Sequence, residues 1–248
     1  MSAEKQPSAT GSAVWFQTTH WSVVWRARHQ NPAASVEAME KLCRTYWRPL
    51  YSFIRREGHG VEEARDLTQA FFARLLEKEW LAHLQDQRGK FRSFLLTLLK
   101  NFLSDERDRA NALKRGGGRT VIHLDELEAA EREALEPANA LTAEQEFERR
   151  WALALIERTH QRLRDEYTAG DKLPLFEALK DAQFGGRGGL TYAELGSRLG
   201  LSESALKSAA LRLRRRQAEI IREEIAQTVT SKDEMEEEIR HLMAVLGG

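Results

Sequence analysis

The chain has 248 residues, with 38 basic and 38 acidic side chains and a net charge of zero, so its overall charge does not indicate a nucleic-acid partner. The single cysteine, Cys43, excludes an internal disulfide and favours a reducing compartment. No apolar run is as long as a membrane span, and the amino terminus lacks the apolar core of a signal peptide. We therefore expect a cytoplasmic protein without membrane insertion, and a length that fits two small domains.

The charges are segregated along the chain. Residues 88–119 and 198–222 are basic, whereas residues 125–148 and 233–238 are acidic. Because salt screens exposed charges beyond about 10 Å, only local charge affects binding to a phosphate backbone. The pattern therefore indicates two nucleic-acid footprints joined by an acidic linker.

Helical periodicity from Thr19 onward predicts an all-α fold. Residues 20–30 form the first predicted helix, and Pro49 should break or kink the second. Residues 61–78 are strongly amphipathic, and residues 91–110 repeat large apolar side chains at helical spacing. The apolar stripe of 61–78 consists of Ala64, Leu67, Thr68, Phe71, Phe72, Leu75 and Leu76.

A second helical body starts near Leu141 and ends in two short helices around a tight turn, a pattern typical of a helix-turn-helix. Thr191 and Glu194 predict a capping box, Gly200 a left-handed helix end, and Ser202 the next cap. Leu206, Ala210 and Leu213 are predicted to face the core. The side chains predicted to face DNA are Ser202, Ser204, Lys207, Ser208, Arg212 and Arg215.

The carboxy-terminal residues 231–248 predict a further helix with an acidic start and an apolar stripe. One interpretation is a helix that packs on the rest of the chain. The other is an acidic tail that folds back on a basic DNA- or polymerase-binding surface and restrains the protein. Both stay open from the sequence.

Four segments together resemble a bacterial RNA polymerase sigma factor of the sigma-70 family, in its short extracytoplasmic-function class. They are LCRTYWRPLYSFIRREG from Leu42, EEARDLTQAFFARLLEK from Glu62, FRSFLLTLLKNFLSDERDR from Phe91, and LKSAALRLRRR from Leu206. The D-L-T-Q-x-F-F core is the most specific of these. The resemblance covers residues 42–229.

The resemblance implies two helical domains joined by an acidic flexible linker, the second with a helix-turn-helix. The short carboxy-terminal helical extension is additional to the family pattern. The expected ranges are a disordered 1–18, a region 2-like domain 19–114, a linker 115–140, a region 4-like domain 141–230 and the extension 231–248. The implied function is to direct core polymerase to promoters and to start transcription there.

The resemblance also implies the partners. The helix at 62–78 would dock on the clamp helices of the largest polymerase subunit, and the second domain would contact the upstream part of the second largest. The expected polymerase-binding residues are Asp66, Gln69, Phe72 and Arg74. The expected contacts to the minus-ten promoter element are Arg88, Lys90, Arg92, Lys100, Asn101, Arg107 and Arg109.

The helix-turn-helix would bind the minus-35 element through the six residues predicted to face DNA. Ala209 departs from the family pattern, which often has a basic side chain there, so we expect altered upstream contacts. An anti-sigma factor, a kinase and the chain's own tail stay open as sources of control.

Two other classes of function remain. The first is a stand-alone regulator that uses only the helix-turn-helix. The second, an all-α enzyme, has little support, because the seven histidines show no metal-ligand spacing. We expect no catalytic residue, no metal and no cofactor.

Overall fold

The computed structural model describes residues 32–75, 90–115, 141–184 and 191–247, and the side chains of 43–75, 90–111, 141–180 and 191–247. Across these residues the structure has eight helices and no strand, which confirms the predicted all-α class. The disorder predicted for 1–18, the helix predicted for 20–30, Arg88 and the linker residues 116–140 lie outside the described residues.

The helices follow one another in this order: α1 (Pro32–Arg56), α2 (Val61–Leu75), α3 (Phe91–Arg115), α4 (Ala143–Ala169), α5 (Leu173–Phe184), α6 (Tyr192–Leu199), α7 (Glu203–Ala226) and α8 (Lys232–Gly247). None of these helices is long and apolar enough to cross a membrane.

The described residues fall into two compact units. The first takes the described parts of Met1–Ala152 and of Ala226–Gly248, and the second takes those of Leu153–Ile225. These units do not coincide with the expected ranges, because the start of α4 and the whole of α8 belong to the first unit.

The core of the first unit is an aromatic cluster contributed by α1, α2 and α3. Phe71 meets Phe102 edge-to-face with ring centroids 5.7 Å apart, and Tyr46 meets Phe91 in the same way at 5.5 Å. Ala64, Thr68, Phe71, Phe72 and Leu75 are buried, as the apolar stripe predicts. The amphipathic pattern thus positions α2 correctly, with its polar face outward.

Of the break or kink predicted at Pro49, the break is wrong, because α1 runs through this residue. A proline removes one backbone hydrogen bond from a helix interior. The buried side chains of Tyr46, Leu50 and Phe53 lie on both sides of Pro49 and anchor both halves of α1 in the core. The stabilisation from burying these side chains therefore outweighs the free-energy cost of the lost hydrogen bond.

The carboxy-terminal helix α8 packs within the first unit. The backbone N–H of Phe91, at the start of α3, donates to the carbonyl of Thr228 at 2.9 Å. Val229 and Leu242 are buried. The predicted extension is therefore part of this unit's packing.

The second unit has its own apolar core, formed by α4, α5, α6 and α7. The buried members of this cluster are Leu163, Phe176, Leu179, Leu195, Leu206, Ala209, Ala210, Leu213 and Ile220. The ring of Tyr167 lies 5.6 Å from that of Phe176 and closes one edge of the cluster. This core fixes the outward face of α7.

Two glycines shape the turn between α6 and α7. Gly200 has a φ of +66°, in the left-handed region, and its N–H donates to the carbonyl of Gly196. A Cβ on Gly196 would lie 2.5 Å from the backbone oxygen of Leu201. Gly196 is therefore required by close approach, whereas Gly200 is required by backbone conformation.

We expect Gly196→Ala to lower the free energy of unfolding of the second unit by about 3 kcal/mol, since the neighbouring atom is backbone and cannot rotate away. Gly200→Ala should cost only about 1 kcal/mol, because no atom lies within 4 Å of the added Cβ. Urea denaturation followed by circular dichroism measures both. Equal losses would show that the contact with Leu201 does not constrain residue 196.

Candidate nucleic-acid interface

The turn between α6 and α7 is fixed by caps at both helix starts. The backbone N–H of Glu194 donates to the Thr191 hydroxyl at 3.3 Å, and the N–H of Thr191 donates to the Glu194 carboxylate at 2.7 Å. The Thr191 hydroxyl also donates to that carboxylate at 2.8 Å, and the two donations to the carboxylate lower the pKa of Glu194. The Ser202 hydroxyl accepts from the N–H of Ala205 at 3.2 Å. The capping predicted from the sequence is confirmed at both helices.

The outward face of α7 matches the prediction in its burial pattern. Leu206, Ala210 and Leu213 are buried. The six predicted DNA-facing residues are all exposed: Ser202, Ser204, Lys207, Ser208, Arg212 and Arg215. Lys207 pairs with Glu203 at 2.6 Å, but both side chains are more than half exposed, so the pair is weak. This surface, named the α7 row, carries hydroxyl donors and cations along one side of a helix.

Ala209 is a correction to the sequence interpretation. It is 4% exposed and belongs to the second unit's core. Positions 206, 209, 210 and 213 are three or four residues apart and so share the inner face of the helix. Residue 209 is therefore a packing position, and a basic side chain there would be buried.

Arg216, the last residue of the basic run, turns inward and is not part of the α7 row. Its guanidinium donates to Glu166 on α4 at 2.8 and 2.9 Å and to Glu223 at 3.0 Å. The hydrogen bond to Glu166 is the largest effect that raises the pKa of Arg216. Arg216 therefore fastens α4 to α7.

The acidic end of α7 receives a second arginine of α4. Arg162 donates to Glu224 at 2.9 Å and to Glu223 at 2.6 Å. Arg158 lies 3.4 Å from the buried Glu224. The sequence predicts a basic body over 198–222, but these pairs neutralise part of it within the unit.

The first unit buries Arg92, one of the expected minus-ten residues. Arg92 is only 6% exposed. Its Nε and Nη2 donate to the two oxygens of Glu238 on α8 at 2.7 and 2.9 Å, and its Nη1 donates to Glu148 on α4. Its guanidinium carbon also lies 4.9 Å from the Trp151 ring centroid. In this arrangement Arg92 cannot reach DNA, which corrects the sequence interpretation.

Burial alone would lower the pKa of Arg92, but its hydrogen bond to Glu238 and the charge of Glu148 outweigh burial and raise it. The Glu148 carboxylate also lies 2.8 Å from His241 Nε2 on α8. Sequence reasoning missed this cluster. Its only signal was the acidic character of both segments, because the paired residues are far apart in the chain.

The other expected minus-ten cations that the structure describes also have carboxylate partners inside the first unit. Lys90 Nζ lies 3.0 Å from Glu237 and 3.4 Å from Glu238. Lys100 pairs with Glu144 at 2.7 Å, which lowers the pKa of Glu144. Arg107 pairs with Glu57 at 3.1 Å, and Arg109 with Glu106; Asn101 is exposed. The structure therefore brings Lys90 and Arg92 together beneath α8.

The expected polymerase-binding residues divide between surface and core. Asp66 and Gln69 are exposed side by side on α2. Arg74 is half-buried and lies 3.6 Å from Asp105 on α3. Phe72 is 5% exposed and stacks on Trp47 with ring centroids 5.9 Å apart. Phe72 is thus a core residue, which corrects its expected place on the docking surface.

Within the described ranges, no group of three or more His, Cys, Asp or Glu residues is arranged to hold a metal ion. Cys43 is half-buried, and burial raises the pKa of its thiol. No family model, curated protein or solved structure matches the chain.

The Arg216 contacts predict an acid-sensitive second unit. The hydrogen bond from Arg216 lowers the pKa of Glu166 below its ordinary value of 4.5. Burial would raise the pKa of Glu223, but donation from Arg162 and Arg216 lowers it. A lowered folded-state pKa stabilises the unit above the unfolded pKa, and this stability is lost as the pH falls through the folded value.

We therefore expect Arg216→Gln to reduce stability at neutral pH and to flatten its decline between about pH 5 and pH 3. Urea midpoints across this range measure the effect. Arg215→Gln is the matched control, because Arg215 is exposed on the next position of the same helix. An equally flattened profile for Arg215→Gln would contradict the assignment to the Arg216 pairs.

Proposed function

We propose that this chain is a sigma factor that binds core RNA polymerase and directs promoter recognition, melting and transcription initiation. In this proposal α2 supplies the polymerase contact, α3 the minus-ten contact and the α6–α7 pair the minus-35 contact as a helix-turn-helix. The two units correspond in function to the region 2-like and region 4-like domains, although their limits differ from the expected ranges.

The observation that carries the proposal is the α7 row. A capped short helix, a left-handed glycine and a second helix with an exposed polar and basic side form the arrangement that inserts a helix into the major groove. Arginine and lysine there bind guanine edges or phosphates, and serine hydroxyls bind either. The close approach of Gly196 to the backbone of Leu201 supports this, since it keeps the turn between α6 and α7 tight.

The docking face of α2 supports the polymerase contact. Asp66 and Gln69 lie outward over a buried stripe, so their helix is fixed in orientation by the core. The same residues belong to D-L-T-Q-x-F-F, the most specific part of the resemblance. A rigid helix with a polar exposed side suits recognition without rearrangement of its partner.

Melting a promoter by this route requires no catalytic residue. Binding of the unpaired strand offsets the cost of unstacking, which is about 1.4 kcal/mol per base-pair step. Two separate contacts on one chain also raise affinity by effective concentration and define a spacing. The function therefore depends on binding surfaces alone.

The direct test is promoter-directed transcription by bacterial core polymerase with and without the chain, using wild type and Asp66→Arg. We expect defined initiation with wild type and a loss of about tenfold or more with Asp66→Arg, since reversing one interface charge costs more than 1.4 kcal/mol. Phe72 is left unchanged because its substitution would disrupt the core.

Glu236→Arg is the control for this experiment. It makes the same change of charge at an exposed position of α8 in the same unit. Circular dichroism verifies that both variants fold. No initiation with wild type, or equal activity of Asp66→Arg and wild type, would count against the sigma proposal or its docking face, respectively.

One observation favours the second candidate, a stand-alone helix-turn-helix regulator. Arg212 and Arg215 of the α7 row are exposed, whereas Lys90 and Arg92, two of the described minus-ten cations, are paired with carboxylates of α8 and largely withdrawn from solvent. A regulator that used only the second unit would need no contacts from α3. Tight duplex binding without polymerase would favour this candidate.

Both candidates predict that Lys207→Ala with Arg212→Ala weakens duplex binding. Each lost base contact should cost about 1–3 kcal/mol, and each lost phosphate contact should reduce the salt dependence by about one unit. Fluorescence anisotropy across a salt series measures this, with the duplex selected for wild-type binding. Arg222→Ala is the control, since Arg222 lies about 15 Å further along α7 than Arg212. Unchanged binding by the double variant would exclude the α7 row as the interface.

A further inference from the structure

The acidic start of α8 lies on a basic pair at the beginning of α3. Both carboxylate oxygens of Glu238 accept hydrogen bonds from Arg92. Glu237 and Glu238 also lie within ion-pair distance of Lys90. A guanidinium binds a phosphate in the same two-pronged way. The two carboxylates thus offer Lys90 and Arg92 the same kind of anionic oxygen that backbone phosphates of a nucleic acid carry.

The position at a helix start strengthens this likeness. Lys90 and Arg92 flank Phe91, the first residue of α3, and the positive end of a helix favours anions. The Phe91 N–H is already used by the carbonyl of Thr228, just before α8. The chain therefore covers an anion-binding position with its own carboxy-terminal segment.

The attachment of α8 depends largely on charge. Of its sixteen residues only Glu238 and Leu242 are buried, and Met243 and Leu246 are exposed. His241 adds a contact with Glu148. Met235, Ile239 and Val245 are half-buried. A helix held by one buried leucine, these three partial contacts and a set of ion pairs can be displaced by a competitor that supplies the same charges to Lys90 and Arg92.

We propose that α8 is a displaceable cover over Lys90 and Arg92, and that the phosphate backbone of single-stranded DNA competes with Glu237 and Glu238 for these cations. In the covered state the first unit binds DNA weakly. Displacement of α8 exposes both cations at the start of the helix that also carries Lys100. The inference rests on the proposed function in taking α3 as the DNA-contacting helix.

The probe is a fluorescein-labelled, mixed-sequence single-stranded DNA of about 20 nucleotides. All proteins carry Lys207→Ala and Arg212→Ala, which remove the contacts expected from the α7 row. In this background we expect Glu237→Gln with Glu238→Gln to bind the probe about tenfold more tightly, because the covered state no longer limits the competent fraction.

The matched control is Asp233→Asn with Glu236→Gln. It removes two charges from the same helix at exposed positions for which the structure shows no pairing with Lys90 or Arg92. Its affinity should stay within about twofold of the background. Equal gains in both double variants would overturn the proposal, since total charge alone would then explain them.

Hydrogen exchange on the wild-type chain tests displacement without relying on a buried substitution. We expect the amides of 232–247 to exchange faster when the probe is bound. Unchanged or slower exchange there, with DNA bound, would overturn the proposal, and so would failure of every variant to bind the probe. If Glu238→Gln prevents folding, this exchange measurement on the wild-type chain decides the question alone.

The transcription assay distinguishes failure of this inference from failure of the proposed function. Release of α8 by DNA without any polymerase-dependent initiation would reject the sigma proposal and leave the cover intact. Initiation that depends on Asp66, together with probe affinity that does not respond to Glu237 and Glu238, would reject the cover alone.

Discussion

The first unit depends on the burial of one positive charge. A guanidinium removed from water without partners costs several kcal/mol, so Arg92 can lie in the core only while carboxylates accompany it. Those carboxylates come from α4 and α8, at residues 148 and 238. One side chain on α3 thereby brings together three helices that are distant in sequence. The attachment of α8, the orientation of His241 and the absence of Arg92 from the surface all follow from it.

In the second unit, two neighbouring arginines of α7 differ in whether they are paired inside the unit or exposed. Arg215 and Arg216 are adjacent in a basic run, but a helix turns about 100° per residue, so they project in different directions. Arg215 is exposed, whereas Arg216 is fastened by Glu166 and Glu223. Charge density along the sequence therefore overstates the charge available to a partner. Only the cations on the outward side of α7 contribute to its surface potential.

Helix capping, turn chemistry and helical periodicity correctly predicted the features that depend on residues close in the sequence. The capping box at Thr191, the turn at Gly200 and the facing of Leu206 and Leu213 all depend on residues within a few positions. The apolar stripe of α2 also predicted the burial of Phe72, although the family resemblance assigned that residue to the docking surface. The burial of Ala209 follows the same helical periodicity as that of Leu206 and Leu213. The partner of Arg92 was not accessible, because 146 residues separate it from Glu238 and no local pattern joins them.

The chain has a net charge of zero, but its cations differ in how far they are available to a partner. In the described part of the first unit, each expected minus-ten cation has a carboxylate at ion-pair distance, whereas the α7 row keeps Arg212 and Arg215 exposed. Counterion release drives non-specific binding to nucleic acid, and the pairing of Lys90 and Arg92 beneath α8 removes their contribution to that drive. A protein with such a distribution would bind duplex mainly through its second unit. Engagement of α3 would then require a competitor strong enough to replace its internal carboxylates, such as a DNA strand held in place by a larger assembly.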